Sequence, residues 1–131
     1  MAAWIKENSE LDSVFLVNPC RDSYFWIKAR RPMVVNFKLG FTSGASAEWK
    51  QRFIATNGYN QFTEVGFDAC EAVNVNFDNL TLAQLQRIAN EYKANYYLTR
   101  SKRTELGLYL IQQFGDLRLY DLSSLKYGPT R

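Results

Sequence analysis

Short apolar runs rich in β-branched residues alternate with segments of helical period along this chain. Ser13-Val14-Phe15-Leu16-Val17 predicts a buried strand that stops at the turn signal Asn18-Pro19. Met33-Val34-Val35-Asn36-Phe37, directly after Pro32, predicts a second, and Asn95 to Thr99 a third. Leu108–Gln112 and Leu117–Asp121, separated around Phe114-Gly115-Asp116, predict a β-hairpin. Helices are expected over residues 2–8, over 22–29 with Asp22 as cap, and from Ser46 to Thr56 with Ser46 as cap. In that third helix Glu48 lies in the first turn, Trp49 and Phe53 share a face, and Asn57-Gly58 closes the end. The strongest helix signal covers 82–93. Thr81 with Gln84 makes a capping box, and Leu82, Leu85, Ala89 and Tyr92 form an apolar stripe. Residues 59–80 are aromatic but show little period.

Buried strands alternating with helices predict an α/β fold: a three-layer Rossmann-like domain with a mostly parallel sheet and a C-terminal antiparallel hairpin. Strands 13–17, 33–37 and 95–99 are the expected parallel set. There is no internal repeat, low-complexity tract or interior linker, so residues 1–125 read as one domain and 126–131 as a frayed tail.

Composition narrows the function. The 131 residues are 47% hydrophobic and 15% aromatic, enough for a packed core, which excludes disorder. With no histidine, His-based triads and most zinc sites are excluded. The net charge of +3 is far from that of a polybasic nucleic-acid binder, and no RNA- or DNA-binding pattern is present. Residues 21–52 nevertheless carry seven basic residues and two acidic ones, a local net of +5. Two accounts fit: a solvated basic surface, or a site for an anionic partner. Cys20 and Cys70 match no metal or redox spacing. They are either two partly buried thiols or, in an oxidising compartment, one disulfide. No stretch approaches the about 20 apolar residues of a membrane span, and the first residues lack a signal-peptide pattern.

Candidate chemistry is sparse. Neither G-x-x-x-x-G-K-[ST] nor G-x-G-x-x-G occurs. The loop Gly40-Phe41-Thr42-Ser43-Gly44 follows the second strand, where ligands bind in parallel sheets, and precedes a helix N-terminus. The plainer account is an ordinary strand-to-helix connection. Lys38 lies at the same edge, whereas Arg31 is roughly 17 Å away at the other end of a five-residue strand. Arg52 is more than one turn into the helix. The ligand-binding set is therefore Lys38, Gly40, Ser43, Gly44 and Ser46, for a small anion or sugar phosphate. Asp68 and Glu71 share a helix face, but without further ligands they read as surface charge. Trp4, Trp26 and Trp49 fall in or beside helices, where tryptophan is more often core than stacking platform. Asn79-Leu80-Thr81 is a lone glycosylation sequon whose Thr81 already serves as a cap. No catalytic set, metal site or cofactor motif emerges.

Several segments resemble a known family when taken in order. They are Trp4-Ile5-Lys6-Glu7-Asn8 with Asp12 to Leu16; Arg31 to Lys38 with Glu48, Trp49 and Arg52; Leu82 to Leu98; and Leu117 to Leu122. Together they resemble the soluble C-terminal α/β domain of uncharacterised bacterial, often cyanobacterial, multi-pass membrane proteins. Similar tails occur on membrane glycosyltransferases that use lipid-linked sugars. The resemblance implies a domain on the extracytoplasmic face, in periplasm or lumen, whose partner is the membrane-embedded remainder of a longer protein. It implies no catalytic activity. The expectation is a non-catalytic accessory or ligand-sensing domain; the alternative is a small transferase-type enzyme acting on an anionic or phosphorylated substrate. Under the resemblance, Arg31, Lys38, Glu48, Trp49 and Arg52 are either a binding cluster or a structural one, with Trp49 buried and Glu48 paired to a cation.

Overall fold

Consecutive side chains of strand β1 (Val14–Leu16) point to opposite sides of a sheet, and each side has its own core. The computed structural model describes residues 1–36, 46–62 and 68–126. On one face Phe15, Val17, Leu98 and Leu119 pack with Ile5 of α1 (Ala2–Asn8) and with Phe25 and Ala29 of α2 (Phe25–Ala29). On the other face Leu16, Tyr97, Tyr120 and Leu122 meet three helices: α3 (Ser46–Thr56), α4 (Asp68–Asn76) and α5 (Leu82–Tyr92). Strands β2 (Ala94–Thr99), β3 (Leu110–Phe114) and β4 (Leu117–Asp121) complete the sheet.

The sheet order is β1-β2-β4-β3. Among the strands of the described residues only the β1–β2 pairing is parallel; β2–β4 and β4–β3 are antiparallel. This overturns the expectation of a mostly parallel, Rossmann-like sheet. The apolar run at 33–37 contributes a single parallel bridge, Phe15 to Met33, instead of a strand. Phe15 donates to the Pro32 carbonyl and accepts from the Val34 amide, and no ladder continues from there over the described residues. Pro32 has no N–H to extend a ladder. Val34, Val35 and Asn36 are buried by packing, which leaves the same apolar signature as a buried strand. Phe37 lies outside the described residues. The hairpin, expected at an edge of a parallel sheet, instead supplies half of the strands, with β4 bonded directly to β2.

Local signals account for the helix ends. Thr81 Oγ1 accepts from the Gln84 amide at 3.1 Å and Gln84 Oε1 from the Thr81 amide at 2.9 Å, so the capping box forms as expected. At the end of α3 the Tyr59 N–H reaches the Ile54 carbonyl and the Gly58 N–H the Ala55 carbonyl, a Schellman closure with Gly58 at φ +68°. Gly115, at φ +61°, turns β3 into β4. Other expectations shift. Helix α2 starts at Phe25, not at 22, and Asp22 caps nothing there: its carboxylate is held by Arg100. Ser46 is the first residue of α3, not its cap. Strand β3 runs two residues later than expected and is bulged between Leu110 and Gln112. Helix α4 and the following 3₁₀ turn Phe77–Asn79 occupy the stretch that showed little period. Leu125 packs on the core, and residues 127–131 of the tail lie outside the described residues.

In α5 the buried stripe is Leu85, Ile88 and Ala89, with Tyr92 at its margin; Leu82 is 42% exposed. Leu85→Ala should therefore cost about 2–5 kcal/mol in a denaturant melt. Leu82→Ala should change stability by less than about 0.5 kcal/mol.

Candidate functional site

Because β1, β2 and the Met33 bridge run in the same direction, the chain leaves all three at one edge of the sheet. That carboxyl edge is where a ligand crevice is expected in sheets with parallel strands. Its residues are polar and engaged with each other. Asn18 Oδ1 accepts the Cys20 and Arg21 amides at 2.9 and 3.0 Å, folding the turn after β1. Its side-chain amide donates to Asn74 Oδ1 on α4 at 3.1 Å. Beside that contact Cys20 is disulfide-bonded to Cys70, with Cα atoms 5.8 Å apart. This resolves the alternatives left by the sequence: the two cysteines are joined. Arg100 grips both oxygens of Asp22 at 2.8 Å, a two-pronged pair. Asp78 accepts from Thr99 Oγ1 at 2.6 Å and from the Arg100 amide at 3.2 Å, and faces Arg21 at 3.5 Å.

Next to this edge lies a buried cation within the charged segment Arg100–Glu105. Arg103 is 6% exposed. Its guanidinium donates to the carbonyls of Asp78 and Leu80, to the Tyr97 hydroxyl and to Glu105. The Arg103 amide donates to the Tyr120 hydroxyl at 2.9 Å, and Tyr97 donates to the Phe77 carbonyl. The 3₁₀ turn between α4 and α5 is thereby fastened to β2 and β4. Hydrogen bonding from Arg103 holds the exposed Glu105 carboxyl below its ordinary range. Nothing in the local sequence distinguishes Arg103 from Arg100 or Lys102.

The sequence-predicted site is only partly within the described residues. Lys38, Gly40, Ser43 and Gly44 lie outside them, and of Ser46 only the helical backbone is described. The residues flanking that segment are structural. Arg31, 5% exposed, donates to the carbonyls of Lys6, Ser9, Ala29 and Arg30 and to Ser9 Oγ. It thus satisfies unpaired carbonyls at the ends of α1 and α2. Arg52 bonds Glu48 at 2.8 Å and the Val34 carbonyl at 2.9 Å, and its guanidinium lies 4.9 Å from the Tyr92 ring centre. Trp49 stacks on Phe53 and donates its indole N–H to the Asn36 carbonyl at 2.8 Å. Four of the five residues singled out by the resemblance therefore hold residues 29–36 against α1 and α3.

Asp68 and Glu71 are exposed in the first turn of α4, and no group of three metal-ligating side chains occurs among the described residues. An open cleft of about 450 Å³ runs between α1 and α2, floored by Phe25, Leu98 and Leu117 and rimmed by Arg21, Asp22 and Lys28. It offers an apolar floor and cations. Its one carboxylate is neutralised by Arg100, so it presents no nucleophile-and-base pair.

Two outcomes follow from these contacts. Arg103→Ala removes the donor to a buried carbonyl, a part-buried carbonyl and a buried hydroxyl, and should cost about 3–5 kcal/mol in a urea melt. Glu105→Ala should leave the midpoint nearly unchanged, since that carboxylate is exposed. The second concerns alkaline pH. Burial, first of all, raises Tyr97, Tyr59 and Tyr92 above the ordinary tyrosine value of about 10. A raised folded value means the unfolded chain loses these protons first. The stability they contribute is fully present below about pH 10 and is lost as pH climbs through the folded values. Urea midpoints should hold level up to about pH 10 and fall above it, and Tyr97→Phe should make that fall shallower.

A family model described as a domain of unknown function (DUF6798) matches residues 1–56. The matched span runs from α1 through the last residue of α3, and contains both ends of the Arg31–Lys6, Trp49–Asn36 and Arg52–Val34 bonds. No curated protein and no solved structure matches the chain.

Proposed function

We propose that this chain is a non-catalytic accessory or ligand-sensing domain on the extracytoplasmic face of a membrane, in periplasm or lumen, acting as part of a multi-pass membrane protein. The observation that carries the reading is the Cys20–Cys70 disulfide, which joins the only two cysteines of the sequence across a separation of 50 residues. Such bonds form and persist in oxidising compartments and are rare where thiols are kept reduced. The polar carboxyl edge adds support, because its acids are bound to arginines and not poised for proton transfer. The proposed partner is the membrane-embedded remainder of the parent protein. The proposed ligand is a small anion or sugar phosphate at Lys38 and the Gly40–Ser46 loop. A transferase-type enzyme has less support, since two cations of the basic segment, Arg31 and Arg52, are tied to backbone carbonyls.

The test is the redox state of the two cysteines in protein taken directly from its native cells. A maleimide-coupled polymer should add no mass before reduction and two adducts after it. Two thiols reactive without reductant would overturn the placement. In purified protein Cys20→Ser should lower stability by about 2–4 kcal/mol, because cross-linking a loop of this size restricts the unfolded chain.

A further inference from the structure

We propose that the outer face of α2 seats on an anionic lipid surface. Phe25 and Ala29, four residues apart, are buried against the sheet, which turns the residues between them outward. Those residues are Trp26, Ile27 and Lys28. Trp26 is 41% exposed and Ile27 53%. Arg30 follows in the left-handed conformation, at φ 55°, and is exposed. The surface bordered by Trp26, Ile27, Arg30 and Pro32 is shallow and open.

The cations of this face come from a stretch of chain without acids, and the nearest acid in sequence, Asp22, which shares the α1–α2 cleft with Lys28, is held by Arg100. From Ser23 to Ala47 the chain carries no acid. Arg31 is turned inward to backbone carbonyls, whereas Lys28 and Arg30 make no ion pair among the described residues. An indole and a branched aliphatic side chain flanked by two cations that make no ion pair among the described residues match the chemistry of a lipid interface. The indole sits at headgroup depth, the isoleucine enters the acyl boundary, and the cations meet phosphates. A protein partner fits less well. Two large apolar side chains on a five-residue helix fall far short of the about 800 Å² per partner of a stable protein interface. A membrane requires no shaped counterpart. This inference goes beyond the placement proposed above and stands without it, because a free-standing protein with this face would bind vesicles in the same way.

The test is co-sedimentation of the full chain with vesicles of mixed phosphatidylglycerol and phosphatidylcholine, and with vesicles of phosphatidylcholine alone. Partitioning should favour the anionic vesicles by about tenfold or more, as expected for two cations near a charged surface, and should weaken as salt is added. Lys28→Glu with Arg30→Glu should abolish that preference. Trp26→Ser with Ile27→Ser should reduce binding at least about tenfold, judged from the apolar area withdrawn from the interface. Brominated lipid should quench tryptophan emission in the native chain but not in the Trp26→Ser variant. These side chains are exposed, so thermal melts of both double variants should match the parent. Equal partitioning into the two vesicle types, binding unaffected by either double variant, or binding without quenching would overturn the proposal. So would vesicle-independent dimerisation that Trp26→Ser with Ile27→Ser removes, which would assign the face to a second copy of the chain.

Discussion

The parallel pairing of β1 with β2 is the constraint from which the rest of the fold follows. It joins Val14 to Ala94, Phe15 to Tyr96 and Leu16 to Tyr97. Strands paired this way need a crossover between them, and closing so long a loop carries an entropy cost that local contacts must offset. The intervening chain packs on both faces of the pair: α2 on one, α3 to α5 on the other. The ladder is irregular where it begins. Between Val14 and Phe15 the register shifts, and the Val14 amide takes the Asn95 side-chain oxygen at 2.8 Å. The disulfide and the Asn18–Asn74 bond tie the start of the crossover, just beyond the end of β1, to α4 in its later part. A crossover fastened at an interior point leaves shorter loops to order.

Arginines hold these connections together by donating to backbone carbonyls more than by pairing with acids. Arg31 serves four carbonyls, Arg103 two, and Arg118 those of Arg100 and Asp116. A buried carbonyl with no partner is costly, and the planar guanidinium can satisfy several at once. The basic excess of the chain is therefore a poor guide to a ligand. Within the basic segment, Arg21 and Arg52 face acids, Arg31 faces carbonyls, and Lys28 and Arg30 point outward. Charge counting along the sequence weighs all of them equally.

What was legible in the sequence was local. The Thr81–Gln84 box and the Asn57-Gly58 closure are specified within a few residues, and both formed where expected. Phe53 and Leu85 were recognisable as buried from helical spacing. Sheet order was not legible, because an apolar run shows that a segment is buried but not what it bonds to. Residues 33–36 are the clearest case: a strand-like run that makes one bridge and then packs under α3. Helix α4 was obscured because Ala69, Val73 and Phe77, spaced by four, are interleaved with Asn74 and Asn76, which weaken its apolar stripe. The roles of Arg103 and of the Cys20–Cys70 pair depend on residues distant in the chain, so no local pattern encodes them.

The chain on either side of residues 37–45 is cross-linked to itself. Before the loop, Asn36 is buried, and its side-chain amide donates to the Ser23 carbonyl. After the loop, α3 returns Trp49 to the Asn36 carbonyl and Arg52 to the Val34 carbonyl. The chain entering and leaving the loop is thus cross-linked independently of the loop itself. Trp49 and Phe53 extend that link through Phe62, which stacks on Phe53, into the larger core. A shift of α3 against residues 33–36 would have to break both hydrogen bonds, so the two move as one unit and the segment between them is anchored at both ends.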